Sequence, residues 1–207
     1  MFGASGFSRE TADILLGDHI DELVYIDLNP RKKIYFGFTI VSEDKIPQLV
    51  KEGYCFAIGS GDNKSRRKIF EKYSHLTFPN IIHSAASLGF KQHEALKEKA
   101  GNIITAGVRF TNNITMGNFG IFNLNCTIGH DCVIKDFVNI APGANISGNI
   151  IIEEGACIGT NAAILQGKSI EEKLVIGKYA TVGAGAVVIK NVSTSSIVVG
   201  VPAKSIK

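Results

Sequence analysis

His130 is the only histidine between Ile104 and the C-terminus, and an acid, Asp131, follows it directly in "IGHDCV". An imidazole ordinarily titrates near neutral pH, so at a surface it can act as a general base. A neighbouring carboxylate can orient the ring or raise its basicity. Gly148 stands eighteen residues further on, and the bare backbone N–H of a glycine can hold an oxyanion. Together these groups suit acyl transfer by one base without a metal. The bland alternative is a surface histidine with no role. A zinc site of the three-histidine kind is excluded, because this half of the chain supplies one histidine.

A second constellation lies near the start. "GASG" runs into a helical pattern with Ala12, Leu15 and Leu16 at helical spacing. Glycines at a strand-to-helix turn let a phosphate approach the N–H groups of a helix N-terminus. Asp27 closes the next strand, "ELVYID", at the usual place for an acid that binds ribose hydroxyls. "IGSGDN", containing Gly59, ends a further strand on the same carboxyl edge. A nucleotide or nucleotide-sugar fits this short segment better than a nicotinamide cofactor does. Lys64, Arg66 and Arg67 either assist a phosphate or form a solvated helix face, and the solvated face is the reading preferred for each. Only Met1 and Phe2 precede Gly3, where a buried strand is expected. The expectation is a first strand cut short, or a misplaced start of the reading frame.

What must position His130 is visible in a repeat. In steps of six from Ile104 come Phe110, Met116, Phe122, Ile128, Ile134, Ile140, Ile146, Ile152, Ile158, Ile164, Ile170, Ile176, Val182 and Val188. Four residues after many of these stands a second inward candidate: Cys126, Cys132, Val138, Ala144, Ile150, Ala156, Ala162, Ala180 and Ala186. A sustained period of six is the hexapeptide form of a parallel β-helix, with three hexapeptides per coil. Residues eighteen apart then stack at about 4.8 Å. Lys168 breaks the second series, so "QGKSIEEK" is expected to leave the helix and rejoin it in phase. Gly129, His130 and Asp131 follow the inward Ile128 toward a corner, which puts the imidazole on the surface.

Before Ile104 the strands alternate with helices, as in a small parallel, Rossmann-like α/β domain. The expected division is 1–83 for this domain, 84–103 for a bridging helix around "KQHEALKEKAGN", and 104–207 for the solenoid. With 45% hydrophobic and 20% charged residues the chain reads as an ordinary soluble globular protein. A net charge of +3 is too small to make nucleic acid the main ligand. Four cysteines without a CxxC pair fit a reducing compartment, and no apolar run reaches the length of a membrane span. A cytoplasmic protein is expected.

"GASG", "AIGSGDNKSRRKI", "IGHDCVIKDF" and the closing "GVPAKSIK" together resemble the sialic acid O-acetyltransferase family, over nearly the whole chain. That family includes the sugar acetyltransferases of bacillosamine and perosamine synthesis. The resemblance implies a left-handed β-helix, a homotrimer, and acetyl-coenzyme A bound between adjacent solenoids. It puts His130 on the catalytic base and Asp131 on its assisting acid, with Asn123 near the active site. Ser5, Gly6 and Phe7 match the turn that holds the nucleotide-sugar, with Asp27 and Gly59 at its nucleotide end. Asn139, Gly148, Thr160 and Ala184 match the coenzyme A groove, and Lys204 a contact with a coenzyme phosphate. Two departures bear on the acceptor: Phe7 stands where many relatives have histidine, and the loop after Gln166 is longer than in the shortest relatives.

The expected activity is acetyl transfer from acetyl-coenzyme A to the amine of a nucleotide-linked amino sugar, with no metal. The alternatives are O-acetylation of a sugar hydroxyl, such as that of a sialic acid, and a non-catalytic solenoid that binds partners.

Overall fold

The computed structural model describes residues 1–17, 20 and 22–206. It divides into two compact units, Met1–Ile81 and Ile82–Lys207.

In the first unit the centre of the sheet is a single residue. Phe2 bridges in parallel to both Ile26 and Ile58. Its N–H donates to Ala57 O at 2.8 Å, and the Gly59 N–H donates to Phe2 O at 2.9 Å. The strand expected before Gly3 is therefore present in its shortest form, and it carries the Phe2 ring against Phe56 and Tyr73 at 5.9 and 5.2 Å. Tyr25–Asp27 runs parallel to Phe38–Ser42, and Ile34–Tyr35 adds an antiparallel edge. The helix Gly6–Gly17 buries Ser8, Thr11, Ala12 and Ile14. Leu15 and Leu16, expected beside Ala12, are only half-buried. The helix Asn63–Lys72 starts at Asp62, whose carboxylate accepts from the Ser65 N–H at 2.7 Å.

The second unit is a parallel β-helix. Through the middle coils each strand pairs with the one eighteen residues on: Thr127 with Asn145, Val133 with Ile151, Asn139 with Cys157. Fourteen of the fifteen residues in the six-step series are at most 3% exposed. The fifteenth, Ile170, is 56% exposed and is a correction to the inward series. It lies in the excursion. Ile152 pairs with Ile176 and Ile164 with Val188, an offset of twenty-four, so the excursion adds six residues and returns in phase. The smaller second series, from Cys126 to Ala186, is fully buried. Each buried isoleucine contributes about 1.5–3 kcal/mol.

The solenoid starts earlier than 104. Ser87–Leu88 already pairs with Arg109–Phe110, and the helix in this stretch is only Gln92–Lys97. The expected bridging helix over 84–103 is thus a strand of the first coil followed by one short helix. "KQHEALKEKAGN" is helix-prone, but neighbouring strands claim the residues before it. At the far end, Lys204–Ser205 turns back antiparallel to Ile197–Val199.

Candidate active site

The corner that carries His130 is built by backbone conformation. Asn113, Asp131 and Asn149, at intervals of eighteen, have φ of 54°, 60° and 59°. Asparagine and aspartate tolerate this left-handed region better than other residues with a side chain. Asp131 thus meets the demand of the corner and offers a carboxylate beside the preceding histidine.

His130 Nδ1 lies 2.6 Å from Asp131 Oδ2, with the imidazole 47% exposed and the carboxylate 17%. The other carboxylate oxygen, Oδ1, accepts from the Asn113 side-chain amide one coil below. The Asn113 amide, with His130, holds the Asp131 carboxyl below the usual carboxylate range. An ionised carboxylate only accepts, so the neutral ring carries its proton on Nδ1 and keeps the Nε2 lone pair free.

Gly148 lies one coil above, where stepping by eighteen placed it. A Cβ built there would sit 2.6 Å from both Cε1 and Nε2 of His130. The ring therefore lies over Gly148, and only glycine leaves it room. The Gly148 N–H donates to no group among the described residues. Gly148→Ala is expected to push the ring off Asp131 and lower kcat by about 10², the cost of an ångström-scale misplacement of a catalytic group. The melting temperature should stay close to wild type, because the φ of Gly148 suits alanine; kinetics and a thermal melt on the same preparation check both.

Cys132 follows Asp131 but offers no rival nucleophile. Its thiol is buried, bonds Ser147 O at 3.2 Å, and is pushed up to about 11 by burial. Burial likewise pushes the Cys126 thiol up to about 12.

The remaining solenoid candidates lie elsewhere on the coil. Thr160 and Ala184 stack on a second corner and are exposed. Asn123 approaches that corner, and its side chain accepts from the Leu124 N–H. Asn139 points outward from the strand Asn139–Ile140. Lys204 is exposed on the closing antiparallel strand. A single chain brings His130, Asp131 and Gly148 together but does not bring Asn123, Asn139, Thr160, Ala184 or Lys204 to them.

In the first unit the candidates share the carboxyl edge of the sheet. Ser5 Oγ donates to Gly59 O at 3.2 Å, at the start of the helix that carries Gly6 and Phe7. A Cβ on Gly59 would sit 2.5 Å from Ser8 Cβ, so this glycine lets helix and strand meet closely. Asp27 lines a cleft of about 390 Å³ with Ala4, Asn29, Arg31, Lys32, Tyr35 and Ile40. Arg31 and Lys32 went unnoticed in the sequence; their signal was a basic pair just after the acid that ends a strand. Arg66 departs from both sequence readings. It is 1% exposed, and its guanidinium donates to the carbonyls of Ser60 and Gly61 at 3.2 and 2.9 Å. It holds the glycine loop in shape. Arg67 pairs with Glu71 at 3.7 Å, as on a solvated helix face, and Lys64 is exposed.

Comparison with known proteins follows this division. The PglD N-terminal domain matches residues 1–73. GDP-perosamine N-acetyltransferase of Escherichia coli O157:H7 is 32% identical over 191 residues, covering 86% of this chain and 81% of that protein. The acetyltransferase domain of PglB from Neisseria gonorrhoeae, solved with acetyl coenzyme A, superposes with a TM-score of 0.85 at 26% identity, over 99% of this chain and 97% of that one. A variant of perosamine N-acetyltransferase from Caulobacter crescentus, solved with CoA and GDP-perosamine, shares the fold with a TM-score of 0.87 at 23% identity, over 100% and 95% of the two chains. The solenoid is accordingly the left-handed β-helix of these enzymes.

Proposed function

The chain belongs to the family of hexapeptide-repeat sugar N-acetyltransferases, and from that premise we propose that it moves the acetyl group of acetyl-coenzyme A to the amine of a nucleotide-linked amino sugar through His130. The observation that carries the role of His130 is its Nδ1 contact with Asp131 at 2.6 Å, which leaves Nε2 as the base beside Gly148.

The amine nitrogen attacks the thioester carbonyl. The carbon–nitrogen bond forms as Nε2 accepts the proton that the nitrogen sheds. The negative charge that gathers on the carbonyl oxygen is met by the Gly148 N–H. The carbon–sulfur bond then breaks, and coenzyme A leaves as a thiolate that can take the proton back. Asp131 stays ionised throughout and faces the imidazolium. In the first unit, the Ser5–Phe7 turn and the edge carrying Asp27 and Gly59 are the proposed nucleotide-sugar contacts, within the proposed domain 1–83.

A thiol-release assay with acetyl-coenzyme A and a panel of UDP-, GDP- and dTDP-linked amino sugars tests the activity, with mass spectrometry of the product. An amide on one member of the panel is expected. Acetylation of a hydroxyl in preference to an amine, or no turnover with any of them, would overturn the reading.

Asn123, Asn139, Thr160 and Ala184 lie on or beside a different corner from that of His130, so the proposed coenzyme A groove closes only against a second solenoid. A cyclic homotrimer supplies three such grooves. Light scattering on an active preparation should return three chains per particle; an active monomer at micromolar concentration would sink the shared groove. Lys204 is the proposed contact for a coenzyme phosphate. Acetyl-coenzyme A and nucleotide-sugars are cytoplasmic metabolites, which is where the proposal places the enzyme.

A further inference from the structure

The excursion 168–173 leaves the solenoid directly above the catalytic corner. The Gly167 N–H donates to Gly148 O and the Leu174 N–H to Asn149 O, both at 3.1 Å, so six residues are added to a corner that is already closed. The excursion is internally braced. Lys168 Nζ reaches Glu172 Oε1 at 2.5 Å. Ser169 Oγ accepts from the N–H groups of Glu171 and Glu172 at 3.2 and 3.1 Å. Its last residue, Lys173, is half-buried and turns back to the coil below, where its ammonium donates to the backbone carbonyl of Asp131.

We infer that Lys173 is a positioning residue for acetyl transfer, anchoring the main chain of Asp131 so that its carboxylate stays on His130 Nδ1. The inference rests on the reading of His130 and Asp131 as the base and its partner. The ladder bonds of the corner support it. The Asp131 N–H reaches its own partner, Asn112 O, at 3.3 Å, whereas the equivalent bonds one and two coils up span 2.9 and 3.1 Å. The corner is thus held least tightly by its ladder where the lysine grips it, and a charged donor makes the stronger kind of hydrogen bond. Among the described residues, the groups that act on the Asp131 carboxylate are His130, Asn113 from the coil below and Lys173 from the excursion.

The test compares wild type with Lys173→Met, Lys173→Gln and Lys173→Arg, with His130→Ala as a control, using acetyl-coenzyme A and the amino sugar that gives best turnover. For each protein the pH–rate profile of kcat, the KM for acetyl-coenzyme A and the melting temperature are measured. Lys173→Met and Lys173→Gln should lower the high-pH plateau of kcat about tenfold, with KM for acetyl-coenzyme A within about twofold of wild type. Lys173→Arg should restore most of the plateau, because it keeps a charged donor.

Loss of the positive charge alone would move the acid limb of the profile to higher pH and leave the plateau in place. That result, or unchanged kinetics, overturns the positioning role. So does unfolding of both neutral variants, which would make the contact a structural anchor only. If His130→Ala remains active, the underlying reading fails first. If His130→Ala is inactive while the Lys173 variants behave as wild type, only this inference fails.

Discussion

Alanine at position 130 should lower kcat by about 10²–10⁴, the usual worth of general-base catalysis, and leave coenzyme A affinity nearly unchanged. The affinity should survive because the ring meets the groove only at Gly148, whereas the other proposed coenzyme contacts, Asn139, Thr160 and Ala184, lie on or beside another corner. Asp131→Asn should cost less, since Nε2 can still accept a proton from an aligned ring. Asparagine already occupies the same backbone conformation at 113 and 149, so this variant should fold normally. The wild-type rate should climb with pH through an imidazole titration, and that climb should vanish in His130→Ala. The sign of the Asp131 effect keeps the two groups apart. Its folded carboxyl is held down by the Asn113 amide and His130, so its contribution is lost only as pH falls below the usual carboxylate range. An acid limb above the carboxylate range is therefore not its titration. The check is a pH–rate profile for all three proteins, together with calorimetric titration of coenzyme A. A His130→Ala enzyme with most of the wild-type kcat would reduce the imidazole to a surface residue.

The second large effect concerns register. Removing 168–173 should leave a folded solenoid, because a Cβ on Gly167 would already sit 2.7 Å from the Leu174 nitrogen. The cut ends are neighbours, and the shortened chain restores the offset of eighteen. Removing three residues from an uninterrupted turn, 154–156, should be ruinous. An odd shift exchanges the inward and outward faces of every later strand. Ile158, Ile164, Ile176, Val182 and Val188, all at most 1% exposed, would lose their places, and each forfeits about 1.5–3 kcal/mol. Five such losses reach about the whole stability of an ordinary domain. Circular dichroism and thermal melts on the two deletions decide the matter; two similar melting curves would refute the register.

The repeat was legible because each inward residue has a partner that can be found by counting. Ile128, Ile146 and Ile164 stack because they stand eighteen apart, and no other property of the chain is needed to see it. Gly148 was legible for the same reason. Asn113 could have been found by stepping eighteen back from Asp131. Ile170 misled because the step of six ran on through an excursion that happens to contain an isoleucine at the right place. Lys173 could not be reached by counting, since its contact with Asp131 crosses forty-two residues and an insertion. Arg66 was hidden differently: "NKSRRKI" looks like a solvated basic face, and only the path of the glycine loop turns one of its arginines inward. The carboxyl edge bearing Ser5, Asp27 and Gly59 was legible from the alternation of strand and helix, but the single-residue central strand at Phe2 was not. No periodicity can be read from one residue.

The left-handed backbone shared by Asn113, Asp131 and Asn149 bears on how such an enzyme can arise. Active sites commonly trade stability for activity, because the residues they need are unwelcome where they stand. At this corner the coil asks for asparagine or aspartate whether or not anything is catalysed there. On the proposed reading, a catalytic coil differs from an inert one by a histidine on the exposed side, an aspartate in place of asparagine after it, and a glycine one coil up. Activity gained on such a scaffold carries little thermodynamic penalty. A chain of coils can therefore sample catalytic corners by drift, with the fold itself under little strain.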